Sequence, residues 1–204
     1  DGSGDVVVED SQNGTRPVEL NLEQILTNMP QKTFESSRRT LSLPPLCLSD
    51  VTIGEAIQKV FALPSVGSKG FLVHKADRSV TGLVAQQQCC GIAQIPIANV
   101  SVNAQSHFGL TGSAAALGEQ PVKMLISPQA GARMAVAEML TNMASVRVSS
   151  IGDIRCRANW MWPAKLPREG ALLYDAAVAM SDLMVGLGIA VDGGKDSLSM
   201  AATI

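Results

Sequence analysis

Residues 191–200 read Val-Asp-Gly-Gly-Lys-Asp-Ser-Leu-Ser-Met. Gly193 and Gly194 let the backbone come close to a ligand, and Lys195, Asp196 and Ser197 add a cation, a carboxylate and a hydroxyl. Glycine-rich turns of this composition cradle phosphate when unpaired N–H groups point at its oxygens. The spacing is not that of a Walker sequence, because Gly-x-x-x-x-Gly-Lys-[Ser/Thr] is absent. Upstream, Glu138 and Asn142 stand four residues apart in the Ala- and Met-rich stretch Ala137-Glu138-Met139-Leu140-Thr141-Asn142. Residues at i and i+4 share a helix face, and carboxylate and amide oxygens are the donors a hard cation takes. Together the two segments point to a phosphate and a hard cation. The competing reading is a plain turn and a polar stripe on an amphipathic helix.

The elements that must position these groups come from a chain of 204 residues, enough for one large domain or a domain with an extension. Hydrophobic residues make up 46% and charged residues 17%, so a large core or buried interface is expected. Aromatic residues are only 3%, which favours helices of small residues packed closely on a sheet. A net charge of -2 leaves no electrostatic footprint for nucleic acid. No run approaches the roughly 20 apolar residues of a membrane span. Residues 1–5 carry neither a basic nor an apolar leader region, and a cytoplasmic protein is expected. Cys47, Cys89, Cys90 and Cys156 form no Cys-x-x-Cys pair and read as reduced structural thiols. His74 and His107 have no evident partner and read as packed or surface side chains.

Residues 1–50 differ from the rest. Residues 1–17 are polar and acidic and read as loose. Residues 20–29 suit one short helix ended by Pro30, and Ser36-Ser37-Arg38-Arg39 with Pro44-Pro45 reads as linker. The compact domain is expected over 51–204. Thr52 is placed to cap a helix over 53–63 that Pro64 follows. Residues 70–74 and 82–86 look like strands, and 94–105 is the best strand. Its parity slips at Ala98-Asn99, where a bulge would leave room for a ligand. Ser127-Pro128 starts a helix running to about residue 144, with Met134, Ala137, Leu140 and Ala144 expected on its core face. A second helix over 170–187 carries Leu173, Ala176, Ala177, Met180, Leu183, Met184 and Leu187 at helical spacing and stops at Gly188. Residues 189–191 then read as a strand feeding the Gly-Gly-Lys-Asp-Ser turn. The class is α+β, a mixed or antiparallel sheet packed with helices.

Several stretches between residues 63 and 200 are distinctive together. They are Leu63-Pro64-Ser65-Val66-Gly67-Ser68-Lys69, Asp77-Arg78-Ser79-Val80-Thr81-Gly82, Gly118-Glu119-Gln120-Pro121, residues 135–142, Asn159-Trp160-Met161-Trp162 and Gly194-Lys195-Asp196-Ser197-Leu198-Ser199-Met200. In this order they resemble the phosphoribosylformylglycinamidine synthase family in its large, glutamine-dependent form. The resemblance implies the N-terminal domain of the second synthetase half, a domain like that of aminoimidazole ribonucleotide (AIR) synthetase that binds ATP and pairs through its sheet with a twin. Residues 20–39 resemble the linker before that half. The reaction implied joins formylglycinamide ribonucleotide, ATP and glutamine-derived ammonia in purine biosynthesis, with ADP and phosphate leaving. The partners implied are the other synthetase half and the glutaminase domain of the same polypeptide, so the isolated chain is expected to be inactive.

The same resemblance supplies roles. Glu138, Asn142 and Asn99 match positions that hold magnesium on an auxiliary ADP, and Ala98 one that touches the nucleotide through its backbone. Asn99 departs from a pattern with Asp there; a neutral ligand weakens direct coordination and leaves room for a water bridge. Lys69 matches a group for an ATP phosphate and Asp77 one for a catalytic magnesium, against a surface lysine and a turn aspartate. Lys195 and Ser197 would approach substrate or phosphate. Trp160 and Trp162 are expected to pack a loop or interface. A purely structural nucleotide-binding scaffold remains the alternative, and a kinase-like member of the same superfamily fits the tryptophan motif less well.

Overall fold

The computed structural model describes residues 1–27, 31–38, 42–75 and 82–202. They fall into two compact units, Asp1–Glu35 and Ser36–Ile204. In the first, β1 (Asp5–Val8) and β2 (Val18–Asn21) form an antiparallel hairpin in which Asp5 faces Asn21. Its strand character comes from the β-branched run Val6-Val7-Val8. Arg16 lies between Glu9 at 3.5 Å and Glu19 at 3.6 Å, and Asn21 Nδ2 donates to Asp5 Oδ1 at 2.9 Å. Residues 1–17 are therefore partly ordered, and the helix expected over 20–29 is instead strand followed by a single π-helical turn, Glu23–Thr27. The rest of that expected helix lies outside the described residues.

The second unit opens with segment 36–38 against a later helix, described below. Then comes α1 (Ile53–Phe61), started by a reciprocal capping box: Thr52 Oγ1 accepts from Glu55 N, and Glu55 Oε2 accepts from Thr52 N. The strand expected at 70–74 is a single helical turn, α2 (Gly70–Val73). Ser68 Oγ accepts from Gly70 N, and His74 Nδ1 lies 2.7 Å from Gly70 O, so local partners satisfy this backbone without a neighbouring strand. Next are β3 (Val84–Gln86), β4 (Cys89–Cys90), β5 (Ile95–Pro96), β6 (Val100–Ala104) and β7 (Gly112–Ala116). β6 lies between β3 and β7, antiparallel to both, and β5 pairs with β4. The segment read as one strand over 94–105 thus changes partner across residues 97–99, at the parity slip.

Then come α3 (Pro121–Ile126), α4 (Pro128–Met143), β8 (Arg155–Met161), α5 (Glu169–Leu187) and, last, β9 (Ala190–Ser197). Ser127 Oγ accepts from Ala130 N and Pro128 occupies the first turn of α4, as its sequence signature predicts. Gly188 ends α5 at φ 70°, a left-handed conformation that glycine adopts without steric cost. β8, α5 and β9 form a crossover unit with β8 parallel to β9, from Arg155 opposite Ala190 to Met161 opposite Ser197, with a one-residue register shift between Cys156 and Arg157. The architecture is α+β, with an antiparallel sheet and a parallel pair, both accompanied by helices.

The core lies where α4 and α5 meet β8. Ala132 and Ala176 pack with Trp162, and Val136 and Met184 with Ile189. The α5 stripe follows the sequence reading closely. The α4 face does not: Met134, Ala137 and Ala144 are exposed, and Gly131, Ala132 and Val136 are buried. Small and apolar residues surround this helix on all sides, so periodicity alone cannot choose its inner face. α5 is also long and apolar enough to cross a membrane, which the sequence reading had excluded. Its Ala176 is fully buried against Ala132 and Trp162, and its Asp175 is ion-paired.

Candidate functional site

Across the partner change between β5 and β6, Ile97, Ala98, Asn99 and Val100 border an open cleft of about 320 Å³. Gln86 of β3 and Thr141, Asn142 and Ser145 of the α4 end border it from the other sides. The reason for a cleft here is local. Residues 97–99 leave the strand ladder, with Ala98 N bonded to Gln88 O at 3.2 Å and Ile97 N to Ile95 O at 3.0 Å. The end of α4 then stands opposite a short irregular backbone. Ala98, Asn99 and Asn142, three of the residues singled out by sequence, meet at this cleft.

Glu138 sits one helical turn before Asn142 on α4 but does not border the cleft. Its Oε2 accepts from Glu119 N at 3.0 Å and from Gln120 Nε2 at 2.7 Å. Asn142 Nδ2 donates to Leu117 O at 2.9 Å. Among the described residues, Glu138 Oε1 and Asn142 Oδ1 carry no hydrogen bond. These are oxygen donors on one helix face, the donor type magnesium takes, so the residues fit such an ion. No three His, Cys, Asp or Glu side chains converge among the described residues. One carboxylate and two amides supply little charge, and an ion held here would need further anionic ligands.

The other predicted residues lie elsewhere. Lys69 precedes α2, and its Nζ donates to Gly67 O at 2.5 Å. Asp77, with residues 76–81, lies outside the described residues. Lys195 and Ser197 are on β9, with Lys195 Nζ 2.5 Å from Ser197 Oγ, and neither borders the cleft. The Gly-Gly-Lys-Asp-Ser segment is strand rather than the expected turn. Gly194 serves strand packing: a Cβ on it would lie 2.0 Å from Ala158 O. Asp196, Gly193 and Gly194 instead border a second hollow of about 370 Å³ with Ala158, Trp160 and Val191. Trp162 is buried and donates from Nε1 to Glu169 Oε2 at 2.9 Å, with Trp160 6.5 Å away, ring to ring. Trp162 is therefore part of the core, with Trp160 partly buried against it.

Sequence reasoning gave residues 117–120 no role, although they hold both Glu138 and Asn142. The available signal was Gly118. A Cβ there would lie 1.9 Å from Ala135 O and 2.6 Å from Met139 N, so only glycine lets the loop lie against α4.

Residues 68–204 match the family model described as FGAR-AT PurM_N-like domain. The chain is 54% identical over 189 residues to the phosphoribosylformylglycinamidine synthase of Homo sapiens, covering 92% of this chain and 14% of that protein. It is 52% identical over 186 residues to an Arabidopsis thaliana relative named "Probable phosphoribosylformylglycinamidine synthase, chloroplastic/mitochondrial", covering 91% of this chain and 13% of the relative. With the Dictyostelium discoideum synthase it shares 47% identity over 210 residues, 99% of this chain and 15% of that protein. The chain thus spans about one-seventh of the length of these relatives.

Proposed function

The chain belongs to the FGAR-AT PurM_N-like domain family, and on that premise we propose that it serves a glutamine-dependent ligase of purine biosynthesis. The reaction is conversion of formylglycinamide ribonucleotide, glutamine and ATP to formylglycinamidine ribonucleotide, glutamate, ADP and phosphate. In this reading residues 51–204 are the N-terminal domain of a synthetase half and residues 1–50 its linker. The cleft beside Ala98 and Asn99 takes an auxiliary ADP, and Glu138 and Asn142 hold its magnesium, with Asn99 acting directly or through water. Lys69 and Asp77 would serve the catalytic centre of the twin half, Lys69 on an ATP phosphate and Asp77 on a magnesium that would lower the charge of the phosphates. Lys195 and Ser197 lie on the strand that approaches substrate. The carrying observation is the meeting of Ala98, Asn99 and Asn142 at one cleft, with an uncommitted carboxylate oxygen on Glu138 one turn away.

The test is Glu138→Gln in the intact polypeptide. Native mass spectrometry should find less retained magnesium and ADP than in wild type. A full complement of nucleotide in the variant would defeat the assignment. The scaffold reading draws support from Lys69, whose ammonium is engaged by its own chain at Gly67 O. Under that reading Asp77→Asn leaves turnover intact while Glu138→Gln loses the fold; under the catalytic reading Asp77→Asn abolishes turnover with the fold intact.

Pairing with a twin domain rests on exposed apolar surface. Phe108 and Leu110, between β6 and β7, are fully exposed, and Val122, Leu125 and Ile126 of α3 are largely exposed. Patches of more than a few hundred Å² usually mark a partner surface. The isolated chain should therefore dimerise or aggregate at about tens of micromolar and show no ATP hydrolysis; a soluble monomer in sedimentation, or turnover, would refute the pairing. Four free cysteines fit a reducing compartment, and the cytoplasm is our assignment, testable by fractionation.

A further inference from the structure

We propose that Gln120 is a positioning residue that sets the carboxylate of Glu138 for a divalent cation, within a loop, residues 117–120, that orients both Glu138 and Asn142. This rests on the magnesium–nucleotide reading of the cleft. The hydrogen-bond polarity is dictated by groups that have only one choice. An ammonium has donors and no acceptor. Lys123 Nζ lies 2.7 Å from the Gln120 side chain, so the atom it meets is Oε1. That leaves Nε2 as the atom 2.7 Å from Glu138 Oε2. The backbone N–H of Glu119 donates to the same oxygen at 3.0 Å. Both donors land on Oε2, and Oε1 is the oxygen left for a cation.

Asn142 is oriented by the same logic. A backbone carbonyl only accepts, so Leu117 O must meet the amide at Nδ2, and Oδ1 is the atom left over. An asparagine turned the other way would present donors to the cation site. One four-residue loop therefore determines which oxygen each of the two α4 residues can offer. The loop is itself held by the glycine contact of Gly118 on Ala135 and Met139 and by α3, which carries Lys123. Partners that orient metal ligands in this way typically contribute about 10- to 100-fold to metal affinity.

The test uses the intact polypeptide with Mn2+ as the probe, titrated in the presence of ADP and read by electron paramagnetic resonance. The variants are Glu138→Gln, Gln120→Met and the double variant. Gln120→Met keeps length and removes the donor. It should weaken Mn2+ binding by about 10- to 100-fold. It should add nothing to the loss in Glu138→Gln, because it acts through that carboxylate. Gln120→Asn, one methylene shorter and still polar, covers failure of Gln120→Met to fold and should also bind Mn2+ more weakly than wild type. Wild-type Mn2+ affinity in both Gln120 variants, beside a clear loss in Glu138→Gln, would overturn the positioning role alone. Additive losses in the double variant would overturn it too. Wild-type affinity in Glu138→Gln would instead remove the metal reading beneath it.

Discussion

Replacing Gly118 by alanine asks whether the loop over residues 117–120 is held to α4 as tightly as its contacts require. The added Cβ would start 1.9 Å from Ala135 O and 2.6 Å from Met139 N, both backbone atoms that cannot swing aside. Ordinary van der Waals contact begins near 3.4 Å, so the loop must retreat by about 1.5 Å. A retreat of that size stretches the Glu119–Glu138, Gln120–Glu138 and Asn142–Leu117 hydrogen bonds, now 3.0, 2.7 and 2.9 Å, beyond useful length. Overpacking costs about 1–3 kcal/mol, and each hydrogen bond lost about 0.5–1.5 kcal/mol. Partial relaxation brings the expected local destabilisation to about 2–4 kcal/mol. At 1.4 kcal/mol per factor of ten, local opening becomes roughly 30- to 700-fold more frequent. Amide hydrogen exchange in the intact polypeptide reads this directly, at the Glu119 N–H and along α4. Exchange within about threefold of wild type at these amides would refute the argument. Gly186 provides the control: it lies within α5, a Cβ there meets nothing within 4 Å, and alanine should stabilise the helix by up to about 1 kcal/mol.

Two further outcomes follow from the electrostatics. Arg38 donates to Asp175 at 2.6 Å, and this hydrogen bond, with the accompanying charge attraction, holds the Asp175 carboxyl below the usual carboxylate range. A carboxyl depressed in the folded state stabilises it above the unfolded value of about 4 and loses that contribution as pH falls through the folded value. Asp175→Asn should therefore speed exchange of the Ala171 amide, bonded to Ser36 Oγ two residues from Arg38, at pH 7. The difference should shrink as pH falls below the carboxylate range; a difference that is the same at acid pH would contradict this account. Among the thiols, Cys47 is exposed, and a hydrogen bond from Ser49 lowers its pKa, whereas burial raises that of Cys156. Iodoacetamide at neutral pH should label Cys47 before Cys156, as read by peptide mass spectrometry, and the reverse order would refute the assignment. Serine at all four cysteine positions should leave glutamine hydrolysis by the intact polypeptide in place.

Much of the local structure was legible in the sequence because its causes lie within a few residues. Thr52 and Glu55 cap α1 across three positions, Ser127-Pro128 starts α4, and Gly188 ends α5. The stripe on α5 gave its buried face, and the parity slip at Ala98-Asn99 marked where one strand run changes partner and a cleft opens. Where local signals were weak, the reading failed. Val6-Val7-Val8 pairs with residues beyond an acidic turn, and residues 70–74 close a helical turn through Ser68 and His74.

The sequence by itself determined the caps and ends of α1, α4 and α5, because these depend on near neighbours along the chain. Tertiary structure decided the rest. The glycines at 193 and 194 became strand because β8, distant in sequence, lies against them, closer than any side chain would allow at Gly194. The buried face of α4 was chosen by α5 and β8, since the helix itself offers small residues in every direction. Which oxygen of Glu138 and Asn142 remains available was decided by a loop that the chain folds back over the helix, through hydrogen bonds that have no signature in residue spacing.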